Sequence, residues 1–284
     1  MGKPASSRIP SRPGSRVWRR LRRRNEALVG LAVMALVGVV ALLAPLLAPY
    51  DLLDVGAAFV PPSRAHPLGT DNLGSDLLTG IIHGARTSLI VGLCAMAAST
   101  VIGITVGSMA GYFGGLIDDA MMRGTEMFQV LPQFFLAIVI VALFGSSIWN
   151  IVLVISILAW PSTARLVRAE FLTLRSREFV DAARSLGMRD RDIIIREILP
   201  NAIPPIIVNS TLLISSAILL ETSLSFLGLG DPNTMSWGTM LHNAQAYFHR
   251  AWWMAAFPGM ALFLTALSLN LLGDALNEAL NPKQ

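Results

Sequence analysis

Thr87-Ser88-Leu89-Ile90-Val91-Gly92-Leu93-Cys94-Ala95-Met96-Ala97-Ala98-Ser99-Thr100-Val101-Ile102-Gly103-Ile104-Thr105-Val106-Gly107-Ser108-Met109-Ala110 runs for 24 residues without a charged side chain. A helix rises ~1.5 Å per residue and crosses the hydrocarbon core of a bilayer in about 20 residues. This stretch is therefore long and apolar enough to span a membrane. It is the second of six such stretches, at residues 27–49, 86–110, 120–145, 149–168, 204–226 and 252–273. The third is the most polar, since Arg123, Glu126, Gln129 and Pro132 fall in its first half. The whole chain agrees: 54% hydrophobic residues against 14% charged, and a mean hydropathy of +0.59, exceed what a soluble domain carries. Helices satisfy their own backbone groups in lipid, and no period-2 alternation points to a barrel. The fold class expected is an all-α polytopic membrane protein with six transmembrane helices.

Arginine and lysine set its orientation. Nine precede the first span (Lys3, Arg8, Arg12, Arg16, Arg19, Arg20, Arg22, Arg23, Arg24) and eight lie at the end of the fourth or in the loop after it (Arg165, Arg168, Arg175, Arg177, Arg184, Arg189, Arg191, Arg196). Arg123 and Lys283 join that side, leaving only Arg64, Arg86 and Arg250 for the other. The positive-inside rule then places both termini and the 169–203 loop in the cytoplasm. The pI of about 9.8 reports this topology and implies no nucleic-acid partner.

The chain divides into a basic cytoplasmic tail (1–26), a first span (27–49), an extracytoplasmic loop (50–85) and a core (86–284). The first span exceeds a signal-peptide core and ends in Pro45 and Pro49 without a cleavage pattern, so it reads as uncleaved. The Met1-Gly2-Lys3-Pro4-Ala5-Ser6 start fits a myristoylation pattern, read here as chance. Val17 to Arg24 forms a basic segment suited to anionic membrane lipid. In the outer loop, Asp76 is expected to cap a short amphipathic helix through His83 that lies on the outer surface or against neighbouring spans. Cys94 is the one cysteine, so no internal disulfide forms.

Within the second span Ala95, Ser99, Gly103, Gly107 and Gly111 recur every four residues, a ridge that lets another helix approach closely. Pro132, Pro161 and Pro258 are expected to kink their helices. Glu221 is an acid in the outer half of the fifth span, where it must face the bundle or a wet cavity. Two roles are open to it: contact with cargo in a pathway, or a structural hydrogen bond to Ser223, Asn209 or a partner chain. Glu126 is expected to snorkel or to pair with Arg123 one turn away.

The 169–203 loop is built for more than connection. Ser176 can cap a helix whose first turn carries Glu178. Ala182, Ala183 and Leu186 share part of one face, small enough to enter a groove on another protein. Gly187 ends that helix in the left-handed conformation. Asp190 can cap a second helix through Leu199, which Pro200 stops. The two helices make a compact knob.

The spacing Glu178-Phe179-Val180-Asp181-Ala182-Ala183-Arg184-Ser185-Leu186-Gly187, then Leu199-Pro200, resembles the cytoplasmic coupling loop of ABC importer permeases. Asp181 stands where that pattern usually has Glu, and Glu197 where it usually has Ile. His66-Pro67-Leu68-Gly69-Thr70-Asp71-Asn72-Leu73-Gly74-Ser75-Asp76, Ala110-Gly111-Tyr112-Phe113-Gly114-Gly115, Ser225-Phe226-Leu227-Gly228-Leu229-Gly230 and Ser236-Trp237-Gly238 resemble the C-type subunit of the dipeptide/oligopeptide/nickel permeases, in order from about residue 66 to 275. The family's proline-rich stretch before Ser-Trp-Gly is thinner here, at residues 231–235.

The resemblance implies a multi-pass permease of a prokaryotic inner or plasma membrane. It would pair with a second homologous permease, two cytoplasmic ATP-binding subunits and an extracytoplasmic substrate-binding protein. The coupling residues it implies are Glu178, Asp181, Ala182, Ala183, Leu186, Gly187, Leu199 and Pro200. Cargo would be dipeptides or oligopeptides, with nickel chelates and other small solutes as alternatives.

This chain has no G-x-x-x-x-G-K-[ST] motif, and its lysines are Lys3 and Lys283 alone. It is not expected to be an enzyme or to hold a cofactor; ATP and Mg would belong to partner subunits. His66, His83, His242 and His249 include no H-E-x-x-H pair. A secondary transporter or channel, and a non-transporting scaffold, are the alternatives from other classes. The first places ionisable groups in broken mid-membrane helices, and the second leaves Glu221 and the kinked spans without a role.

Overall fold

The computed structural model describes residues 24–52, 54–130 and 132–280. The tail cations Lys3 to Arg23 and the terminal Lys283 lie outside the described residues. Among those described, the chain is mostly helical, and the one strand-like feature is an isolated bridge between Thr70 and Asp76.

Helix α1 (Asn25–Leu42) ends one turn before Pro45, and a short turn at Ala44–Leu47 follows. Helix α2 (Leu77–Phe113) is capped by Asp76, whose Oδ2 accepts the Thr79 N–H at 2.8 Å. The expected surface helix does not stop at His83. It continues into the second span as one helix of 37 residues. Nothing between His83 and Arg86 interrupts it, because Gly84 is held against Trp237 and keeps its helical conformation. At ~1.5 Å per residue this helix is about 55 Å long, so it extends well past a ~30 Å hydrocarbon core.

The third span is broken. Helices α3 (Gly115–Val130) and α4 (Gln133–Phe144) meet at a bend of 79° beside Pro132. Proline lacks the N–H that would continue α3, and it biases the preceding residue away from helix. Arg123 and Glu126 are both exposed on α3, and no ion pair joins them among the described residues. Helix α5 (Ile148–Leu174) carries Pro161 inside it. After α6 (Glu178–Ser185), helix α7 runs for 40 residues, Asp190–Leu229. Helices α8 (Trp237–Ala244) and α9 (Trp253–Leu280) complete the chain. Helices α1, α2, α5, α7 and α9 are each long and apolar enough to cross a membrane, and the bent α3–α4 pair makes a sixth if it crosses as one.

Pro200 does not end its helix, contrary to expectation. The chain reaches it through a wide turn at Ile193–Ile198, with the Leu199 N–H bonded five residues back to Ile194. The wider turn gives the proline ring room that a regular helix denies it. A second wide turn, Ser225–Leu229, ends α7, with Gly228 at φ +84.

Helices α2 and α5 form the closest seam. A Cβ added to Gly103 would lie 2.5 Å from Thr163 Cβ, one on Gly107 2.7 Å from Val167 Cβ, and one on Gly111 2.5 Å from Phe171 Cβ. The small-residue ridge therefore meets a neighbour within this chain. Apolar side chains form three clusters along the bundle. One lies beside the 50–76 loop, around Trp237 and Trp253. One lies midway, around Val91, Ile155 and Leu158. The third joins α6 to α2, α5 and α7. At that last end of the bundle, Arg24 and Glu278 form an ion pair that links the start of α1 to α9.

The 50–76 loop is pinned rather than loose. Thr70 Oγ1 accepts the Val60 N–H at 2.9 Å and donates to the Ala57 carbonyl at 2.8 Å. The Trp253 indole donates to the Thr70 carbonyl at 3.1 Å. Nδ1 of His66 lies 2.9 Å from Asp76 Oδ1.

Candidate functional site

The α6 knob is shaped by its two ends. Its N-cap is Arg177, not Ser176, whose hydroxyl donates to Thr173 instead at 3.2 Å. At its other end the Met188 N–H bonds Ala183 (3.2 Å) and the Gly187 N–H bonds Arg184 (2.9 Å). That pair of bonds is a Schellman turn, and it places Gly187 at φ +75. Space around Gly187 is open, so the backbone angle alone selects glycine there.

The structure separates residues that the sequence had grouped. Val180 and Ala183 face inward and are buried with Phe171, Ile193, Ile198 and Ala202. Ala183 was expected on a docking face; it is the residue whose small side chain lets α6 lie flat against α5 and α7. Ala182 and Leu186 face out, Leu186 83% exposed at the C-terminal end of α6, and Phe179 is exposed at its N-terminal end. Glu178, Asp181 and Pro200 are exposed as well, and Leu199 packs partly against the inner cluster. Asp181 reaches Arg184 at 3.5 Å. The knob thus presents acids in its first turn and an exposed leucine at its C-terminal end.

Polar contacts that sequence reading missed tie together the helix ends beneath the knob. Tyr112 at the end of α2 donates to Asp190 Oδ1 at 2.6 Å, and the Arg184 guanidinium lies 5.6 Å from its ring centre. Arg175 donates to the Tyr112 carbonyl at 3.1 Å. Arg168 on α5 holds Asp118 on α3 with two bonds of 2.5 and 2.6 Å, the fork geometry that makes such pairs strong. Tyr112 belongs to a motif already noted, but its partner lies 78 residues away, beyond any local signal.

Midway along the bundle, α2, α4, α5 and α7 enclose a half-open cavity of about 520 Å³. Leucine, isoleucine, alanine, methionine and phenylalanine side chains form most of its wall. Its polar groups are Ser99, Gln133, Ser162, Ser216 and Ser223, and no charged residue lines it. The Gln133 amide donates to the Leu158 carbonyl at 2.9 Å and ties the start of α4 to α5.

Glu221 is buried on a different side of α7. Its Oε1 accepts from Ser225 (2.7 Å) and from Ser236 (2.8 Å), and Oε2 meets Thr222 at 3.4 Å. Ser223 and Asn209, the partners expected, bond elsewhere: Ser223 to the Leu219 carbonyl and Asn209 to Thr163. Ser236 also caps α8, so Glu221 ties the end of α7 to the start of α8. Among the described residues no group of three or more His, Cys, Asp or Glu side chains stands close enough to hold a metal.

Comparison with known proteins now bears on these features. A family model described as binding-protein-dependent transport system inner membrane component matches residues 103–284. A second, the N-terminal TM domain of oligopeptide transport permease C, matches residues 12–62. The di/tripeptide transport system permease protein DppC of Pseudomonas aeruginosa is 40% identical, covering 99% of this chain and 96% of that protein. The dipeptide transport system permease protein DppC of Alkalihalophilus pseudofirmus is 38% identical over 95% of this chain and 90% of that one. The glutathione transport system permease protein GsiD of Pectobacterium atrosepticum is 40% identical over 95% and 91%. A solved structure of the MetNI methionine ABC transporter in inward-facing conformations aligns with a TM-score of 0.58 at 17% identity, over 72% of this chain and 98% of that one, which shows a shared fold. The chain belongs to the binding-protein-dependent transport system inner membrane components, and it is a multi-pass permease of a bacterial ABC importer.

Proposed function

We propose that this permease moves short peptides into the cytoplasm, paired with a second, homologous permease. Two ATP-binding subunits drive the pair, and an extracytoplasmic binding protein delivers the cargo. Peptide cargo is supported by relatives that carry di/tripeptide, dipeptide and glutathione transport in their names. The charge asymmetry supports an orientation with α6 and both termini inside. The observation that carries the coupling role is α6 itself. It is a short helix seated on the bundle through buried Val180 and Ala183, with Arg184 over the Tyr112 ring, and it leaves Leu186 exposed at its C-terminal end.

ATP and Mg belong to the partner subunits, where hydrolysis takes place. The role of this chain is mechanical: it receives a displacement at α6 and changes access to the cavity. Reconstitution of the permease pair with its ATPases and binding protein in liposomes tests the reading. ATP-dependent accumulation of a labelled dipeptide is expected. Accumulation that proceeds equally without ATP would overturn it in favour of a secondary transporter.

A further inference from the structure

The cavity wall has a hydrogen-bonding polarity of its own. A serine hydroxyl has one hydrogen to give and two lone pairs to offer. Ser162 gives its hydrogen to Ala159 at 2.9 Å, Ser216 to Leu212 at 3.1 Å, and Ser223 to Leu219 at 2.7 Å, each a carbonyl of its own helix. All three serines are among the residues that line the cavity, and a hydroxyl that donates once keeps lone-pair capacity. Gln133 gives an Nε2 hydrogen to Leu158, while its Oε1 has no partner among the described residues. No Lys, Arg or His side chain lines the cavity to offset these acceptors. Glu221, the one membrane acid close by, is turned to Ser225 and Ser236 and stays out of the wall.

We infer that this wall is an acceptor track, formed by Gln133, Ser162, Ser216 and Ser223, that takes the N–H donors of a passing solute. Its amide N–H groups and protonated terminal amine find partners there. A carboxylate finds lone pairs and only the second Nε2 hydrogen of Gln133. The inference rests on the importer reading above and names which end of the cargo this permease engages.

The test uses the complete complex in proteoliposomes with its binding protein. Uptake of a dipeptide with a free amine is compared with uptake of its N-acetyl form, in the native complex and in two variants. Ser162→Ala combined with Ser216→Ala removes two acceptor oxygens and leaves the Gln133–Leu158 bond in place. Gln133→Leu removes the third acceptor together with that bond. The same binding protein delivers cargo to every complex, so its own preference cancels in the variant-to-native ratio. Each lost acceptor is expected to lower uptake of the free-amine dipeptide roughly two- to tenfold, and that of the N-acetyl form by less. If Gln133→Leu fails to assemble, the serine pair decides. Any outcome in which the free-amine dipeptide loses no more than its N-acetyl form overturns the inference. Absence of ATP-driven uptake by the native complex overturns the importer reading beneath it, a result visible before any variant is compared.

Discussion

Placing an acid at Leu186 and at Ala183 separates a surface that docks from one that packs. Leu186 is 83% exposed at the tip of α6, so Leu186→Asp is expected to change the stability of the permease by no more than about 0.5 kcal/mol. If the leucine is buried in an ATPase groove, its loss removes about 1.5–3 kcal/mol of apolar burial from that contact. Attachment would weaken roughly 10- to 150-fold. Ala183 is 5% exposed and lies among the residues of the inner cluster. Ala183→Glu forces a carboxylate into that apolar space at a cost of at least about 3 kcal/mol, enough to lift α6 off the bundle. The two variants should therefore fail in different ways. Leu186→Asp keeps the thermal unfolding temperature of the isolated permease pair while losing the ATPases on affinity purification and losing cargo-stimulated ATP hydrolysis. Ala183→Glu lowers the unfolding temperature as well. Wild-type ATPase retention and stimulation in Leu186→Asp would refute the assignment of this tip as the docking point.

Two further outcomes follow from named contacts. Glu221→Gln retains an oxygen for Ser225 and Ser236 and should leave the complex stable and active, whereas Glu221→Leu strands both buried hydroxyls and should cost about 2–4 kcal/mol, read as a lower unfolding temperature. Orientation is checked on a Cys94→Ser background in intact cells: Ser63→Cys should react with an impermeant thiol reagent and Ser185→Cys should not, and the reverse pattern would invert the topology.

What the sequence disclosed was local. The apolar runs, the Asp76 cap and the Gly187 turn each depend on residues within a turn or two of one another, so spacing alone reveals them. The four-residue ridge through Gly103, Gly107 and Gly111 also announced a close helix contact, though not that α5 would supply it. Sequence failed wherever the deciding partner lay far along the chain. The inward turn of Ala183 depends on Phe171, Ile193 and Ala202, which place an apolar wall under one side of α6. A helical wheel of eight residues cannot say which side that is. Glu221 finds Ser236 15 residues ahead, and Asp118 finds Arg168 50 residues ahead. Pro200 misled for another reason: a stop signal is read on the assumption of regular turns, and the wide turn before it suspends that rule.

The same helices that hold the knob reach the cavity, and this gives the proposed coupling a physical route. Val167 and Phe171 of α5 belong to the apolar cluster that holds the inner face of α6, and Leu158 and Ser162 of that helix line the cavity about 13 Å away at ~1.5 Å per residue. On α7 the step from Ala202 to Ser216 is about 21 Å. Helix α2 is obliged to follow α5, because Gly103, Gly107 and Gly111 leave no side chain that could slide between them. A push on α6 is then expected to tilt α2, α5 and α7 together. Helix α4 is held differently: it joins α3 through the 79° bend and bonds α5 through Gln133. On this route relative motion is expected between α4 and the rest, with the Gln133–Leu158 bond on that boundary. A displacement at the knob therefore changes the cavity at the point where its acceptor wall begins.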